Sequence, residues 1–93
     1  MNNVIKLEFP DNLKVLAGND YAREIYDNQI GPKIENFEHI ELQFPDTIVF
    51  ICSSFVQGLF SKWLKTMSPD QIMAQLTIKN AKHLKDIKQG LYE

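Results

Sequence analysis

Hydrophobic residues change their spacing along this chain, from every second residue to every third or fourth, more than once. Ile5, Leu7 and Phe9 alternate with charged residues, which is the pattern of a half-buried β-strand. Residues 56–67 instead place apolar side chains three and four positions apart, the pattern of an amphipathic α-helix. Because strand-like and helix-like segments alternate, we predict an α/β fold in which helices pack on a sheet.

Five segments have the composition of strands, and two of them end in the turn-forming pair Pro-Asp. The segment 47–51 is almost wholly apolar, so we predict a short strand that is buried on both faces. We expect neither an internal repeat nor a low-complexity linker. The predicted strands are residues 4–9, 13–16, 39–44, 47–51 and 76–79.

Four helices are predicted from apolar spacing and capping residues. The first has Asn19 or Asp20 as its predicted N-cap, and it bends or restarts at Gly31-Pro32, because proline lacks the N–H that would continue the hydrogen-bond pattern. Ser68, followed three residues later by Gln71, is a capping box. The predicted helices cover residues 19–34 and 54–66, a short segment after Ser68, and a last segment that begins after Asn80 and ends near Gly90.

The composition is that of one folded domain spanning residues 1–93, with 44% hydrophobic and 24% charged residues. Cys52 is the single cysteine, so an intrachain disulfide cannot form and a reducing compartment is favoured. The first ten residues do not resemble a secretory signal, and no window is apolar for the length of a membrane span. We therefore expect a cytoplasmic protein that does not associate with membranes.

Charge is distributed unequally between the two halves of the chain. Residues 1–50 hold four Lys or Arg and nine Asp or Glu, a balance of −5, whereas residues 51–93 hold six and three, a balance of +3. Four lysines spaced three residues apart, at 79, 82, 85 and 88, are typical of a solvated helix face. Since the total charge is −2 and no aromatic residues are interleaved with these lysines, we do not expect a nucleic-acid partner.

Ser53 and Ser54 stand where a predicted strand gives way to a predicted helix. The first turn of a helix has unpaired N–H groups and a partial positive charge, so a phosphate added there would gain hydrogen bonds. Serine is also a preferred N-cap, which offers a purely structural alternative. Cys52 is interpreted as a small buried hydrophobic residue, and we expect no catalytic set, no metal site and no cofactor.

The stretch from Pro45 to Phe55, Pro-Asp-Thr-Ile-Val-Phe-Ile-Cys-Ser-Ser-Phe, and the helix predicted after it resemble the centre of STAS-type domains. The closer resemblance is to the STAS-like group of small bacterial proteins (DUF4325), and it covers roughly residues 4–91 in element order. It implies a mixed β-sheet with helices packed mainly on one face.

In the anti-sigma factor antagonists of the STAS family, the corresponding motif is Asp-Ser-Ser-Gly, and a GHKL-type ATPase acting as a kinase phosphorylates the serine before the glycine. By that match Ser54 is the candidate phospho-acceptor, with Ser53 beside it. Here Cys52 replaces the aspartate and Phe55 replaces the glycine. With phenylalanine at this position, the sequence Ser-Ser-Phe resembles the motif of the STAS-like group.

The resemblance implies a non-enzymatic regulatory module that binds a protein partner, such as a GHKL-type ATPase or kinase. We expect the partner to contact Cys52, Phe55 and the outer face of the following helix, through Gln57, Ser61 and Lys62. The alternative is a structural or assembly adaptor that oligomerises through a sheet edge and uses the serines only as helix caps.

Overall fold

The described strands form two small parallel sheets. The computed structural model describes residues 3–34 and 38–93. One sheet has the order β1-β3-β5 and the other pairs β2 with β4, so the predicted α/β class is confirmed. Every described strand pairing is parallel. This arrangement is possible because a crossover connection that contains a helix joins each strand to its partner. The strands are β1 (Asn3–Lys6), β2 (Val15–Leu16), β3 (Ile40–Gln43), β4 (Phe50–Ile51) and β5 (Leu76–Thr77).

The strands are shorter than the alternating patterns predict. The side chains of residues 4–7 nevertheless alternate between exposed and buried, as the pattern predicts. Ile5 and Leu7 are buried, whereas Val4 and Lys6 are exposed. The ladder continues one residue beyond β1, where the Leu7 N–H donates to the carbonyl of Gln43 at 2.9 Å. Side-chain alternation therefore extends further along the chain than regular strand pairing does.

Two strand-turn-strand units of similar sequence lie side by side, so the expectation of no internal repeat is wrong. Each unit contains the triplet Phe-Pro-Asp, at residues 9–11 and at residues 44–46. In both, the proline carbonyl accepts a hydrogen bond from the N–H three residues later, at 2.9 and 3.0 Å. The rings of Phe9 and Phe44 are nearly parallel, with centroids 6.4 Å apart. Equivalent positions of the repeat thus meet in the folded chain.

The first helix changes its geometry before the predicted interruption. Helix α1 spans Asn19–Ile25, and the chain then widens into a π-helical turn over Tyr26–Ile30 and tightens into a 3-10 turn over Gly31–Lys33. The N–H of Gly31 donates to the carbonyl of Tyr26, which is the wide spacing of a π turn. The predicted bend is therefore present, but it begins at Tyr26 instead of Gly31.

The helix predicted over residues 54–66 is divided at Phe60. Helix α2 spans Ser53–Leu59 and helix α3 spans Ser61–Leu64. Phe60 has φ −102° and ψ 12°, outside the helical range, and its side chain is only 1% exposed. The bend directs Phe60 into the core, so tertiary packing overrides a continuous helical pattern.

Helix α2 packs against both α1 and the last helix, α5 (Ala81–Tyr92), and two glycines permit these contacts. A Cβ atom at Gly58 would lie 2.5 Å from the carbonyl oxygen of Asn19, and one at Gly90 would lie 2.5 Å from the Cβ of Val56. Such distances are shorter than real Cβ contacts. Gly90 lies in the last turn of α5, which ends at Tyr92, two residues beyond the predicted end near Gly90.

Capping residues begin the last two helices as the sequence predicts. Ser68 and Gln71 form the reciprocal capping box at the start of α4 (Pro69–Gln75). The side chain of Asn80 accepts from two N–H groups in the first turn of α5. Both predictions are confirmed, because a cap depends only on residues within one turn.

Replacing Ser68 with alanine is expected to lower the free energy of unfolding by about 1 kcal/mol, since the Gln71 N–H loses its acceptor. Urea unfolding measures this change. Replacement of the exposed Ala81, which caps nothing, with serine is the control and should change stability by less than about 0.5 kcal/mol. Equal losses in both variants would contradict the capping role.

Candidate functional site

The turn between β4 and α2 places the two candidate serines at the beginning of a helix. Cys52 is the N-cap residue, and Ser53 and Ser54 are the first two residues of α2. Among the described residues, the start of α2 has no side-chain capping hydrogen bond, so the serines do not cap this helix, and only that part of the adaptor hypothesis is wrong. Ser54 is exposed, whereas Ser53 and Cys52 are half-buried. A protein partner can therefore reach the Ser54 hydroxyl from solvent.

The Ser54 hydroxyl ends a series of hydrogen bonds that join two distant segments. The N–H of Val49 donates to the Lys14 carbonyl and that of Cys52 to the Leu16 carbonyl, both at 2.7 Å. The Gly18 N–H then donates to Ser54 Oγ at 3.0 Å. Because Gly18 is the N-cap residue of α1, this bond links the start of α1 to the start of α2.

Gly18 adopts a backbone conformation that other residues avoid. Its φ angle is +93°, in the region that favours glycine because a Cβ atom would be strained there. In this conformation the N–H of Gly18 points to the Ser54 hydroxyl and donates a hydrogen bond to it. The sequence indicates a break in structure at this glycine but not the hydroxyl that it contacts.

Three exposed apolar side chains lie on β2, on β4 and directly before β4. Val15 is 44% exposed, Val49 57% and Phe50 47%, and we call these three residues the β2–β4 patch. Val15 and Phe50 are register partners across the two strands, while Leu16 and Ile51 turn inward and are buried. The prediction that residues 47–51 form a strand buried on both faces is wrong, because the described chain leaves one face of this two-stranded sheet uncovered.

A small cavity of about 120 Å³ lies between Phe50 of the patch and α5. Phe50 and Ser53 line one side, and Asp86, Gln89 and Glu93 line the other. The carboxylate of Asp86 accepts a hydrogen bond from the Ile51 N–H at 3.0 Å. Asp86 thereby satisfies a backbone donor on the open edge of β4, a means of discouraging further strand pairing.

The remaining candidate partner-binding residues do not share one outer face. Phe55 is fully buried and packs against the rings of Phe9 and Tyr21, so its side chain is not part of a surface. Gln57 is half-buried and donates a hydrogen bond to the carbonyl of Gly90, which directs it toward α5. These two predictions are corrected because the helical pattern does not indicate which neighbour each face meets.

Ser61 and Lys62 lie on the side of the α2–α3 segment that faces α1. Lys62 is exposed; its Nζ is 3.0 Å from a carboxylate oxygen of Asp27 and 5.2 Å from the ring centroid of Tyr26. Burial raises the pKa of Tyr26, while the hydrogen bond with Trp63 and the charge of Lys62 act in the opposite direction. Ser61, which is half-buried, lines a shallow depression with these residues.

Within residues 3–34 and 38–93, no three side chains of His, Cys, Asp or Glu are grouped closely enough to hold a metal ion. The helices of the same two segments include none that is long and apolar enough to cross a bilayer.

Parallel strands and helical crossovers define an α/β domain, with a serine-containing turn at the start of α2. The family model described as a STAS-like domain of unknown function (DUF4325) matches residues 21–84, which is more than half of the chain. The protein therefore belongs to this STAS-like family, and the resemblance inferred from the motif is confirmed. No curated protein and no solved structure matches the chain significantly.

Proposed function

We propose that this protein is a non-enzymatic regulatory module of the cytoplasm that binds a protein partner through the β2–β4 patch and the Ser53–Ser54 turn. The observation that carries the proposal is that Phe50 of the patch and Ser53 line the same small cavity, and that the next residue, Ser54, is exposed. Exposed apolar groups close together are characteristic of interaction surfaces. A modifiable hydroxyl in the turn that follows β4 provides a means of regulating the interaction.

Phosphorylation of Ser54 is proposed as the switch. A phosphate adds a charge of about −1.5 to −2 at neutral pH. It would introduce this charge one residue after Ser53, which shares a cavity with Phe50, and change the group that the Gly18 N–H contacts. Both effects alter the docking surface without requiring the core to rearrange. A GHKL-type ATPase acting as a kinase is the partner implied by resemblance to the anti-sigma factor antagonists.

The phosphorylation proposal is tested by incubating the protein with a GHKL-type ATPase from the same organism and with ATP, and measuring intact mass. We expect a gain of one phosphate that disappears in Ser54→Ala. Ser68→Ala, which removes an exposed serine at another helix start, should keep the gain and serves as the control. Unchanged phosphorylation of Ser54→Ala would refute the assignment of the acceptor.

Binding to the same ATPase tests the surface itself. Replacing Phe50 with serine is expected to weaken binding at least tenfold, because large apolar side chains in the centre of an interface contribute most of its energy. Val4→Ser is the matched control, since Val4 is 53% exposed but belongs to β1 of the other sheet. If both variants bind with unchanged affinity in titration calorimetry, the β2–β4 patch is not the interface.

An assembly adaptor is the second candidate function, and the uncovered β2–β4 patch also supports it. A second copy of the chain could cover Val15, Val49 and Phe50 and so form a homo-oligomer. Light scattering would then give at least twice the monomer mass, independent of ATP, and Phe50→Ser would restore the monomer mass. A monomer at all concentrations favours the regulatory module.

A further inference from the structure

The cavity between Phe50 and α5 combines an aromatic ring with negative charge. Its lining includes the carboxylates of Asp86 and Glu93, and neither lysine nor arginine among the described residues contributes to it. Within residues 3–34 and 38–93, neither carboxylate forms an ion pair. The charge at this border of the β2–β4 patch is therefore complementary to a cationic group supplied from outside.

Asp86 is held in place before any partner binds. One oxygen of its half-buried carboxylate accepts a hydrogen bond from the Ile51 N–H at 3.0 Å. Because Ile51 follows Phe50 in β4, this bond fixes the carboxylate relative to the strand that carries the exposed ring. Each carboxylate oxygen has two lone pairs, so Asp86 retains acceptor capacity for a second donor. A positioned acceptor loses little freedom on binding, which favours affinity.

An exposed aromatic ring next to carboxylates matches the chemistry of arginine better than that of lysine. The ring of Phe50 belongs to a side chain that is 47% exposed, and it borders the same cavity as Asp86 and Glu93. A guanidinium group is planar, stacks on aromatic faces and can donate two parallel hydrogen bonds to a carboxylate. An ammonium group is more strongly hydrated and acts as a point charge.

The rest of the β2–β4 patch specifies what surrounds that arginine. Val15 is the register partner of Phe50, and Val49 precedes Phe50 in the chain. Both valines are exposed and uncharged, so apolar side chains of a partner can cover them. The surface thus has an apolar part and an acidic border.

We propose that a protein partner docks on this surface through an arginine flanked by apolar side chains. The guanidinium enters the cavity, stacks on Phe50 and donates to Asp86 and Glu93. The flanking side chains cover Val15 and Val49. This inference rests on the proposed function, because it states the chemistry of the partner, but it does not depend on phosphorylation of Ser54.

Titration of three tripeptides with blocked ends tests the arginine contact. The probes are leucine-arginine-leucine and the same peptide with lysine or with citrulline, the uncharged analogue of arginine, at its centre. NMR of the isotope-labelled protein follows the Ile51 N–H, which is bonded to Asp86. We expect the arginine peptide to shift this resonance with saturation. The lysine peptide should bind about threefold more weakly and the citrulline peptide at least fivefold more weakly, since it lacks the charge.

Three variants locate the binding of the arginine peptide. Asp86→Asn and Glu93→Gln should each weaken it about threefold to fivefold, the effect of losing one partly exposed ion pair. The asparagine at position 86 can still accept from the Ile51 N–H, which helps to preserve the fold. Glu24→Gln removes the same charge from an exposed position of α1 and should bind normally.

A preference for arginine that falls in either carboxylate variant supports the inference. An arginine peptide that binds no better than the citrulline peptide, or an equal loss in Glu24→Gln, overturns it. Titration of the GHKL-type ATPase separates this failure from failure of the proposed function. If Phe50→Ser weakens ATPase binding and Asp86→Asn does not, the partner surface stands and the arginine contact is wrong. If Phe50→Ser has no effect on the ATPase, the proposed function fails, and the peptide titration still decides the arginine site.

Discussion

Replacing Gly58 with alanine is expected to lower the free energy of unfolding by at least about 2 kcal/mol. The added Cβ would lie 2.5 Å from the carbonyl oxygen of Asn19 and 2.7 Å from its Cα, so the backbone of α1 must move. Overpacking of this kind costs about 1–3 kcal/mol and sometimes more, whereas the better helix propensity of alanine returns only about 1 kcal/mol. We expect the larger cost because the contacted atoms belong to backbone.

Urea unfolding followed by circular dichroism measures the loss. Lys85→Ala, at an exposed position of α5, is the control and should change stability by less than about 0.5 kcal/mol. Displacement of α1 should also disturb the hydrogen bond between Gly18 and Ser54. If the proposed partner docks at this turn, the folded variant is expected to bind it more weakly. Unchanged or increased stability of Gly58→Ala would contradict the close packing of α1 on α2.

Replacing Phe55 with alanine is expected to destabilise the protein by about 3–5 kcal/mol, the usual cost of removing a buried aromatic ring. Its side chain is completely buried. The ring centroids of Phe9 and Tyr21 lie 6.3 and 6.0 Å from that of Phe55. The variant would leave a cavity beneath the start of α2 that its neighbours can fill only in part.

Thermal unfolding separates this role from partner contact. Phe55→Leu, which keeps most of the apolar volume, should lose much less stability than Phe55→Ala and should retain partner binding. A Phe55→Ala protein with full stability but reduced partner affinity would show that Phe55 is a contact residue, contrary to its burial.

The sequence located the candidate serine turn because two local signals coincide there. The apolar spacing changes from strand to helix near Cys52, and the motif around Ser53 and Ser54 resembles the STAS-like family. The partner of the Ser54 hydroxyl was not predictable, since Gly18 is 36 residues away along the chain. No local pattern encodes a hydrogen bond between such distant positions.

Exposure was predicted less well than element type. Phe50 and Val49 have the apolar character of core residues, yet both are exposed, because no described element covers these two side chains. Gln57 has the polarity of a surface residue, yet its side chain contacts the carbonyl of Gly90. Burial depends on which elements become neighbours, and a sequence pattern describes only one element at a time.

The sequence by itself determined the order of strands and helices, the turns at the two Phe-Pro-Asp triplets and the caps at Ser68 and Asn80. Each of these depends on side-chain periodicity or on hydrogen bonds within a few residues. Tertiary structure alone decided the close helix contacts at Gly58 and Gly90, the division of the strands into two sheets and the cavity between Phe50 and α5. These features arise where segments far apart in sequence pack together, because the space available to a side chain is set by all of its neighbours at once.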